Sequence, residues 1–556
     1  MAIVTINNQP VEIGADECLN CIQAAQRVGV EIPAYCWHPE LSVVASCRMC
    51  LMEVGERKSD GTVQMQPKLV PGCQTPARDG TVIISDSPKV KEARKATLEY
   101  LLLNHPLDCP VCDQAGECFL QDYSFRYGRG YSRLDEPKNI KPDKEHIGDQ
   151  ITLFTDRCIM CTRCVRFTRE VSGTSELHVV SRGTHEEIDV FPGYPCNNKL
   201  AGNVVDLCPV GALCSSDFLY KQRVWWLKTS SSVCPGCSTG CSVFLDQNED
   251  RVYRLRPRPN PAAQGSFMCD DGRFGWKYTL SEHRLTVPQQ RSDGRMVTSD
   301  WDCVLHSVRS ALRLPASSKD GGLAAVLSPW MTVEEAWLLG SLLTSISNDA
   351  MLALGPVRSD GEDDQYPKDV DGRVVEPVRF TIRAEKCPNR VGVEAVLRHF
   401  CGTVPTFEEL LRQASRNSFR TVYLVGGDPE GWISESQADA FSKTDQVIVQ
   451  DILPSPILKY ASHVLPSGTF VERDGTFVNH NGLAQMIRRS VRGPDNTRAD
   501  NRLLWELSGR IGLFDGDSLR REIASAVPEL AGLVGPNLKG QGTPAASPQT
   551  AEALST

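Results

Sequence analysis

Between Cys36 and Cys269, fifteen cysteines and one histidine fall into four groups of four, each spaced like metal ligands. Cys36, Cys47, Cys50 and Cys73 come first, as C-x10-C-x2-C-x22-C. His105, Cys109, Cys112 and Cys118 follow, as H-x3-C-x2-C-x5-C. The third group is Cys158, Cys161, Cys164 and Cys208, with Pro209 after the last. The fourth is Cys234, Cys237, Cys241 and Cys269, as C-x2-C-x3-C-x27-C. Zinc and iron–sulfur clusters both use such sets, and disulfides are the other ordinary use of many cysteines.

Composition narrows the choice. At 556 residues the chain holds roughly three to five domains. With 60 basic against 69 acidic residues, a net charge of −9 gives no basic excess of the kind that marks a nucleic-acid binder. No apolar run approaches the ~20 residues that span a bilayer. The opening MAIVTINNQPVEIG shows neither a basic segment before an apolar core nor Arg- and Ser-rich composition. The expectation is a chain that stays in a bacterial cytoplasm, where thiols are kept reduced. That favours metal over disulfides, as does C-x2-C clustering, since vicinal cysteines seldom pair structurally.

Residues 1–82 form the first expected domain. Val4 and Ile6 alternate with polar residues, Asn7-Asn8 supplies a turn, and Val11 and Ile13 alternate again, which is a hairpin pattern. Cys18 to Val28 has helical apolar spacing and Gly29 stops it. Strand pair, helix, then cysteine loop is the order of a ferredoxin-like β-grasp domain. The plant-type run C-x4-C-x2-C with a distant fourth cysteine holds a [2Fe-2S] cluster, and the gap of ten here lengthens the same loop. Ser46, Arg48 and Met49 flank the inner cysteines and can turn backbone N–H groups toward sulfur. A zinc ribbon has two C-x2-C knuckles, and this segment has one. Cys18 and Cys21 could be a redox dithiol at a helix start. Without a βαβ context they read as two small, semi-buried residues.

In residues 83–125 a helix over Lys91–Leu103 precedes a C-x2-C-x5-C set with only three cysteines. His105 is the nearest fourth ligand. Imidazole in place of thiolate leaves a cluster less negative and raises its potential.

Residues 126–227 carry the most specific spacing. Cys158-x2-Cys161-x2-Cys164 is half of a two-cluster ferredoxin run, in which a fourth cysteine three residues on serves the other cluster. Here that position is Thr168. Counting back from Cys208, the other three ligands of that second cluster fall on Asn198, Ala201 and Val204. One cluster has lost all its ligands and the other has kept all of them, a pattern that no zinc motif predicts. Arg157, Arg163, Arg166 and Arg169 surround the site, either to offset cluster charge or as a solvated or partner-facing patch. Cys196 and Cys214 join no group, and neither do Cys303, Cys387 and Cys401.

After Cys269 helical patterns such as Val333–Ile346 alternate with short apolar strands such as Val422–Val425 and Val447–Val449, which is α/β order with a parallel sheet. The glycine turn in Leu424–Pro429 lacks G-x-G-x-x-G, and the loop Gly468–Phe477 reads as turn and core packing. There is no Walker A loop and no sign of nicotinamide or flavin binding. Residues 354–376 are expected to be an exposed insertion, and 531–556 a disordered tail.

These motifs resemble the 75 kDa-type iron–sulfur subunit of the proton-pumping NADH:quinone oxidoreductase, respiratory complex I, a family named for its mitochondrial member. The likeness is densest at Cys36–Val54 (CWHPELSVVASCRMCLMEV), Asn104–Asp122 (NHPLDCPVCDQAGECFLQD), Asp156–Gly173 (DRCIMCTRCVRFTREVSG) and Gly202–Leu213 (GNVVDLCPVGAL). Residues 229–530 look like a molybdopterin-oxidoreductase domain, through the fourth cysteine group and, more loosely, Ala461–Gln485. The resemblance implies a multidomain α+β and α/β chain: a [2Fe-2S] domain at 1–82, a His/Cys [4Fe-4S] domain at 83–125 and a ferredoxin-like [4Fe-4S] domain at 126–227. A molybdopterin-type [4Fe-4S] domain at 228–284 and a degenerate molybdopterin-like domain at 285–530 follow. It implies one [2Fe-2S] and three [4Fe-4S] clusters and no molybdenum. It also implies electron relay from an FMN-bearing, NADH-oxidising flavoprotein toward quinone beside other iron–sulfur subunits, on the cytoplasmic face of the bacterial inner membrane, with no catalytic residue on this chain. Two other readings compete: an iron–sulfur subunit of a related NAD-linked formate dehydrogenase or hydrogenase, and a zinc scaffold without redox work.

Overall fold

The computed structural model describes residues 1–315 and 322–546. The chain divides into two compact units, the first of Met1–Leu227 with Tyr366–Val378, the second of Lys228–Gln365 with the chain from Arg379 onward.

The first unit opens with the hairpin. β1 (Ala2–Ile6) and β2 (Gln9–Ile13) pair antiparallel, with Val4 opposite Val11. The turn residues Asn7 and Asn8 both take positive φ, which asparagine tolerates better than most residues. α1 (Cys21–Arg27) is started by a capping box between Asn20 and Gln23. β3 (Leu51–Arg57), β4 (Val63–Met65), β5 (Val70–Pro71) and β6 (Thr81–Ile84) complete a mixed sheet in the order β2-β1-β6-β3-β4, with β5 beside β3. Alternation along β1 and β2 sends Val4, Ile6, Val11 and Ile13 into one core with Ile22, Met52 and Ile83. Cys21 is buried in that core and Cys18 is exposed, so the two do not share an accessible face. Burial pushes the Cys21 thiol up to about 12.

α2 (Pro88–Leu102) starts at Ser87, whose hydroxyl accepts from the Val90 N–H, with Pro88 in the first turn. α3 (Phe119–Tyr127) begins directly after Cys118. α4 (Arg163–Glu170) carries Cys164 and buries Arg163, Arg166, Phe167 and Thr168. Thr168, Ala201 and Val204 are buried, and Asn198 donates to Glu176. The second ferredoxin site is therefore filled with packed side chains. Within this unit the Lys368 N–H donates to the Val171 carbonyl at 3.0 Å.

The second unit holds a seven-stranded sheet. Its order is Arg295–Thr298, Gln289–Ser292, His463–Pro466, Gln446–Asp451, Phe419–Val425, Gly322–Leu327 and Met351–Leu354. The last five strands run parallel. Both faces are covered, as a parallel sheet requires. Leu323, Ala325 and Leu327 face one core with helix residues Val333, Leu338 and Leu339. Ala324 and Val326 face another, with Phe407, Leu410 and Ala414. A three-stranded antiparallel sheet, Lys228–Val233, Ser242–Asn248 and Arg251–Pro257, holds Cys234, Cys237 and Cys241 in its first turn, and Cys269 caps the helix Asp270–Phe274.

The tail departs from expectation. Pro528–Val534 is a 3-10 helix, Thr543–Pro544 pairs with Leu483–Ala484, and Leu530, Leu533, Leu538 and Ala545 are buried. Order thus extends to residue 546, because widely spaced apolar residues anchor a Gly/Pro-rich chain. The rest of the expected tail lies outside the described residues. The 354–376 segment is largely exposed as expected, but it contains the short strand Asp364–Tyr366 and buries Tyr366.

Candidate metal centres

In the first group Cys36, Cys50 and Cys73 are buried and Cys47 half-buried. Hydrogen bonds from Cys47 and Cys73 hold the Cys36 thiol well below its ordinary range, and one from Cys73 also lowers Cys50. Cys47 and Cys73 move up in return, chiefly through their bonds to Cys36. The four sulfurs therefore lie within reach of one another. Arg48, between Cys47 and Cys50, takes φ +59, which turns the loop.

The second group lines a pocket of about 290 Å3 formed by His105, Asp108, Cys109, Cys112, Ala115, Cys118, Gln121, Arg157 and Gly211. The Nδ1 of His105 is buried without a hydrogen-bond partner. Burial lowers its pKa to about 4, so the ring is neutral and carries a lone pair at pH 7. An orphaned, neutral imidazole nitrogen in a ring of three thiols is what a fourth ligand requires. Gly211 is needed for space, since a Cβ there would stand 2.2 Å from Cys112 Sγ. The Cys109–Cys112 turn is clamped by Arg223, which donates to the carbonyl of Cys112 at 2.7 Å and to that of Pro110.

The third group lines a pocket of about 340 Å3. Cys158, Cys161, Cys164 and Cys208 share it with Leu153, Ile159, Thr162, Ile188, Val210, Ala212 and Leu213. Met160 and Thr162 take positive φ, and the Met160 N–H points at Cys158 Sγ, 3.4 Å away. Burial pushes Cys158 up to about 12 and Cys161 to about 11. Thiolates here need a cation to stabilise them, and metal binding supplies one. Arg163 and Arg166 do not line this pocket, but both charges favour the Cys161 thiolate and that of Arg163 also favours Cys208. Arg163 donates to the carbonyl of Trp37 at 2.6 Å, and Arg166 to those of Cys36, Ser42 and Cys161. Arg166 thus ties the loops of the first and third groups together. Arg169 is exposed and paired with Glu170.

The fourth group, in the second unit, lines a pocket of about 320 Å3 with Gly236, Met268, Asp271, Gly272 and Lys386. The Cys234 N–H donates to Cys241 O at 2.8 Å, closing the turn. The Gly236 N–H approaches Cys234 Sγ at 3.5 Å and the Gly272 N–H approaches Cys269 Sγ at 3.3 Å. A Cβ on Gly272 would lie 2.8 Å from Cys234 Sγ. Burial pushes Cys234 up to about 12 and Cys241 and Cys269 well up.

All sixteen candidate residues are thus assembled in their four sets. Among the described residues, no three His, Cys, Asp or Glu side chains converge closely enough to hold a single ion. Cys214, on Leu213–Ser215, is buried near Cys112 and Cys208 and lines none of these pockets.

In open α/β sheets ligands bind beyond the carboxyl ends of the strands. Here several side chains pair at those ends. Trp432 donates to Asp451 at 2.7 Å, and a Cβ on Gly426 would meet both. Arg473 pairs with Glu335 and Asp500 and donates to the Trp330 carbonyl.

Five family models match. They are a 2Fe-2S iron-sulfur cluster binding domain at 2–88, the NADH-ubiquinone oxidoreductase-G iron-sulfur binding region at 94–133, and the ferredoxin-like domain of NADH-quinone oxidoreductase subunit 3 at 148–214. A molybdopterin oxidoreductase Fe4S4 domain matches 227–281, and a molybdopterin oxidoreductase domain 401–510. An NADH-quinone oxidoreductase subunit of Rickettsia felis is 35% identical over 347 residues, 62% of this chain and 50% of the relative. The NADH-ubiquinone oxidoreductase 75 kDa subunit of Reclinomonas americana is 35% identical over 63% of this chain and 50% of its own length. Over these stretches the chain is similar to proteins named as subunits of NADH-quinone and NADH-ubiquinone oxidoreductase. The mitochondrial NADH dehydrogenase iron-sulfur protein 1 of Solanum tuberosum is 36% identical over 63% of this chain and 46% of its own. The chain spans about half the length of these curated relatives. A solved NAD+-reducing [NiFe]-hydrogenase is 25% identical over 40% of this chain and 91% of its own, with a TM-score of 0.34, too slight a likeness to inform the fold. The chain carries both 2Fe-2S and 4Fe-4S binding domains. No described helix is long and apolar enough to cross a membrane.

Proposed function

We propose that this chain is an electron-relay subunit of an NADH:quinone oxidoreductase. The proposed ligands of one [2Fe-2S] cluster are Cys36, Cys47, Cys50 and Cys73. Three [4Fe-4S] clusters would be held by His105 with Cys109, Cys112 and Cys118, by Cys158, Cys161, Cys164 and Cys208, and by Cys234, Cys237, Cys241 and Cys269. The observation that carries this is the pocket with three thiols and the partnerless, neutral His105 Nδ1. Zinc fits less well, because the third group keeps every ligand of one ferredoxin cluster and none of the other's, a pattern that no zinc motif predicts.

Bound clusters supply reversible one-electron uptake and release. The chain's own work is to hold them apart, exclude water and set their surroundings. Apolar walls at the Cys158 pocket lower the local dielectric. Backbone N–H groups at Met160, Gly236 and Gly272 face sulfur and stabilise thiolate. In the proposed route electrons come from an FMN-bearing NADH-oxidising subunit at the first or third group. They leave through the His105 group toward another iron–sulfur subunit, with the fourth group off that path. The proposed setting is the peripheral arm at the cytoplasmic face of the bacterial inner membrane. No molybdenum takes part in this scheme. Anaerobic iron and sulfide analysis with EPR tests it, with about fourteen irons per chain expected, two at the first group and four at each other.

A further inference from the structure

The second unit buries a group of charges that the relay does not use. Glu335 and Asp500 are 0% and 2% exposed, and both reach the same nitrogen, Nη1 of the buried Arg473. Glu335 Oε2 stands 3.3 Å from it, and Asp500 Oδ2 is in close contact. The other charges around them are matched already. Glu334 pairs with Arg520 at 2.8 Å and Glu472 with Arg284 at 2.7 Å. Asp474 accepts from the Arg489 N–H. Tyr278 faces Arg473 and Tyr423 faces Asp500, and burial pushes both phenols up, so both are neutral. Two carboxylates thus share one guanidinium, which leaves one negative charge unmatched in the interior if both are ionised. Such a charge is costly.

Helix ends offset part of that cost. Glu335 lies in the first turn of Val333–Ile346, Asp500 opens Asp500–Leu507, and the Thr332 N–H donates to Glu335 Oε2 at 2.8 Å. The far oxygens gain nothing from this. Glu335 Oε1 and Asp500 Oδ1 are both buried without a hydrogen-bond partner. Two bare carboxylates only accept, whereas one carboxylic acid has an O–H to donate. Burial raises both carboxyls against the pull of Arg473 and, at Asp500, of Gln450, Ser467 and the Gly468 N–H.

We propose that Glu335 and Asp500 form a proton-binding site, a carboxyl pair that holds one proton between its two members beside Arg473 at neutral pH. The site goes beyond the relay reading and does not depend on it. The pair takes its proton from solvent, loses one negative charge and moves no electron. It titrates as a unit, so its affinity belongs to neither residue alone. An unfolded chain gives up such a proton at about pH 4, and the folded chain keeps it above that. The stability this site contributes is therefore present at lower pH and is lost as pH rises through the pair's titration. Proton binding is thereby tied to the packing of the helices Val333–Ile346 and Asp500–Leu507, which the pair and Arg473 join.

The test is infrared difference spectroscopy of the full-length chain near pH 7, as wild type, Glu335→Gln and Asp500→Asn. Wild type minus either variant is expected to show the loss of one and the same carboxylic-acid carbonyl band, because the carboxylate left alone with Arg473 ionises. A band that survives either substitution places the proton on a single residue and overturns the proposal. A wild type with no such band in either difference overturns it too. Should a variant fail to fold, wild-type chain carrying carboxyl-13C glutamate decides. Acid carbonyl absorption that moves with the label is the expected result, and absorption that the label leaves unmoved overturns the sharing.

Discussion

At the scale of single residues, the ligand sets were legible because spacing in the chain is itself a chemical constraint. A C-x2-C turn brings two thiols to one metal whatever surrounds it. His105 was legible by subtraction, as the nearest donor to a set of three cysteines. His105→Cys is expected to keep a cluster and lower its midpoint potential, since thiolate adds negative charge. A redox titration superimposable on wild type would count against His105 as a ligand. Gly211 was not legible in that way, because its role is the space it leaves beside Cys112. Gly211→Ala is expected to block loading of the second group alone. Iron analysis should then fall by about four per chain, with the EPR signals of the other groups intact. The orientation of Arg157 was also hidden. The run of arginines was plain in sequence, but adjacency to Cys158 pointed to the third site, and the fold sends this side chain to the second.

At the scale of elements, alternation and capping placed what short-range pattern can place. The first hairpin followed from Val4, Ile6, Val11 and Ile13, and Val333–Ile346 is the helix read there, started by a capping box between Thr332 and Glu335. The order after Ala531 escapes such patterns because composition averages over Leu533, Leu538 and Ala545, and those few residues carry the packing. The link of 366–378 to the first unit runs through backbone bonds such as that of Lys368 to Val171, which side-chain patterns do not record. Strand His463–Pro466 gives a pH prediction. Burial lowers the His463 pKa to about 4, and its ring bonds Ser307 at 2.8 Å. The folded-state pKa lies below the unfolded value of about 6.5, so the unfolded chain takes up the proton first as pH falls. The stability this residue contributes is present above pH ~6.5 and lost as pH falls toward ~4, a change of about 3 kcal/mol. His463→Gln keeps a partner for Ser307 and removes the titration. Urea unfolding between pH 7 and 4 should show a shallower loss for the variant, and equal slopes would contradict this.

At the scale of the whole molecule, three ligand groups share the first unit and the fourth sits in the second, which also holds the parallel sheet. In the proposed relay the chemistry lies at the four cysteine groups. They also turn the comparison with zinc scaffolds and catalytic relatives into a question of what metal is present and where. That question has one direct answer. Anaerobically purified chain, analysed for iron, sulfide, zinc and molybdenum and examined by EPR, should be brown and hold about fourteen irons with matching sulfide. One two-iron and three four-iron signals should appear, with no stoichiometric molybdenum. A colourless protein with stoichiometric zinc, or one carrying molybdenum, would contradict the account.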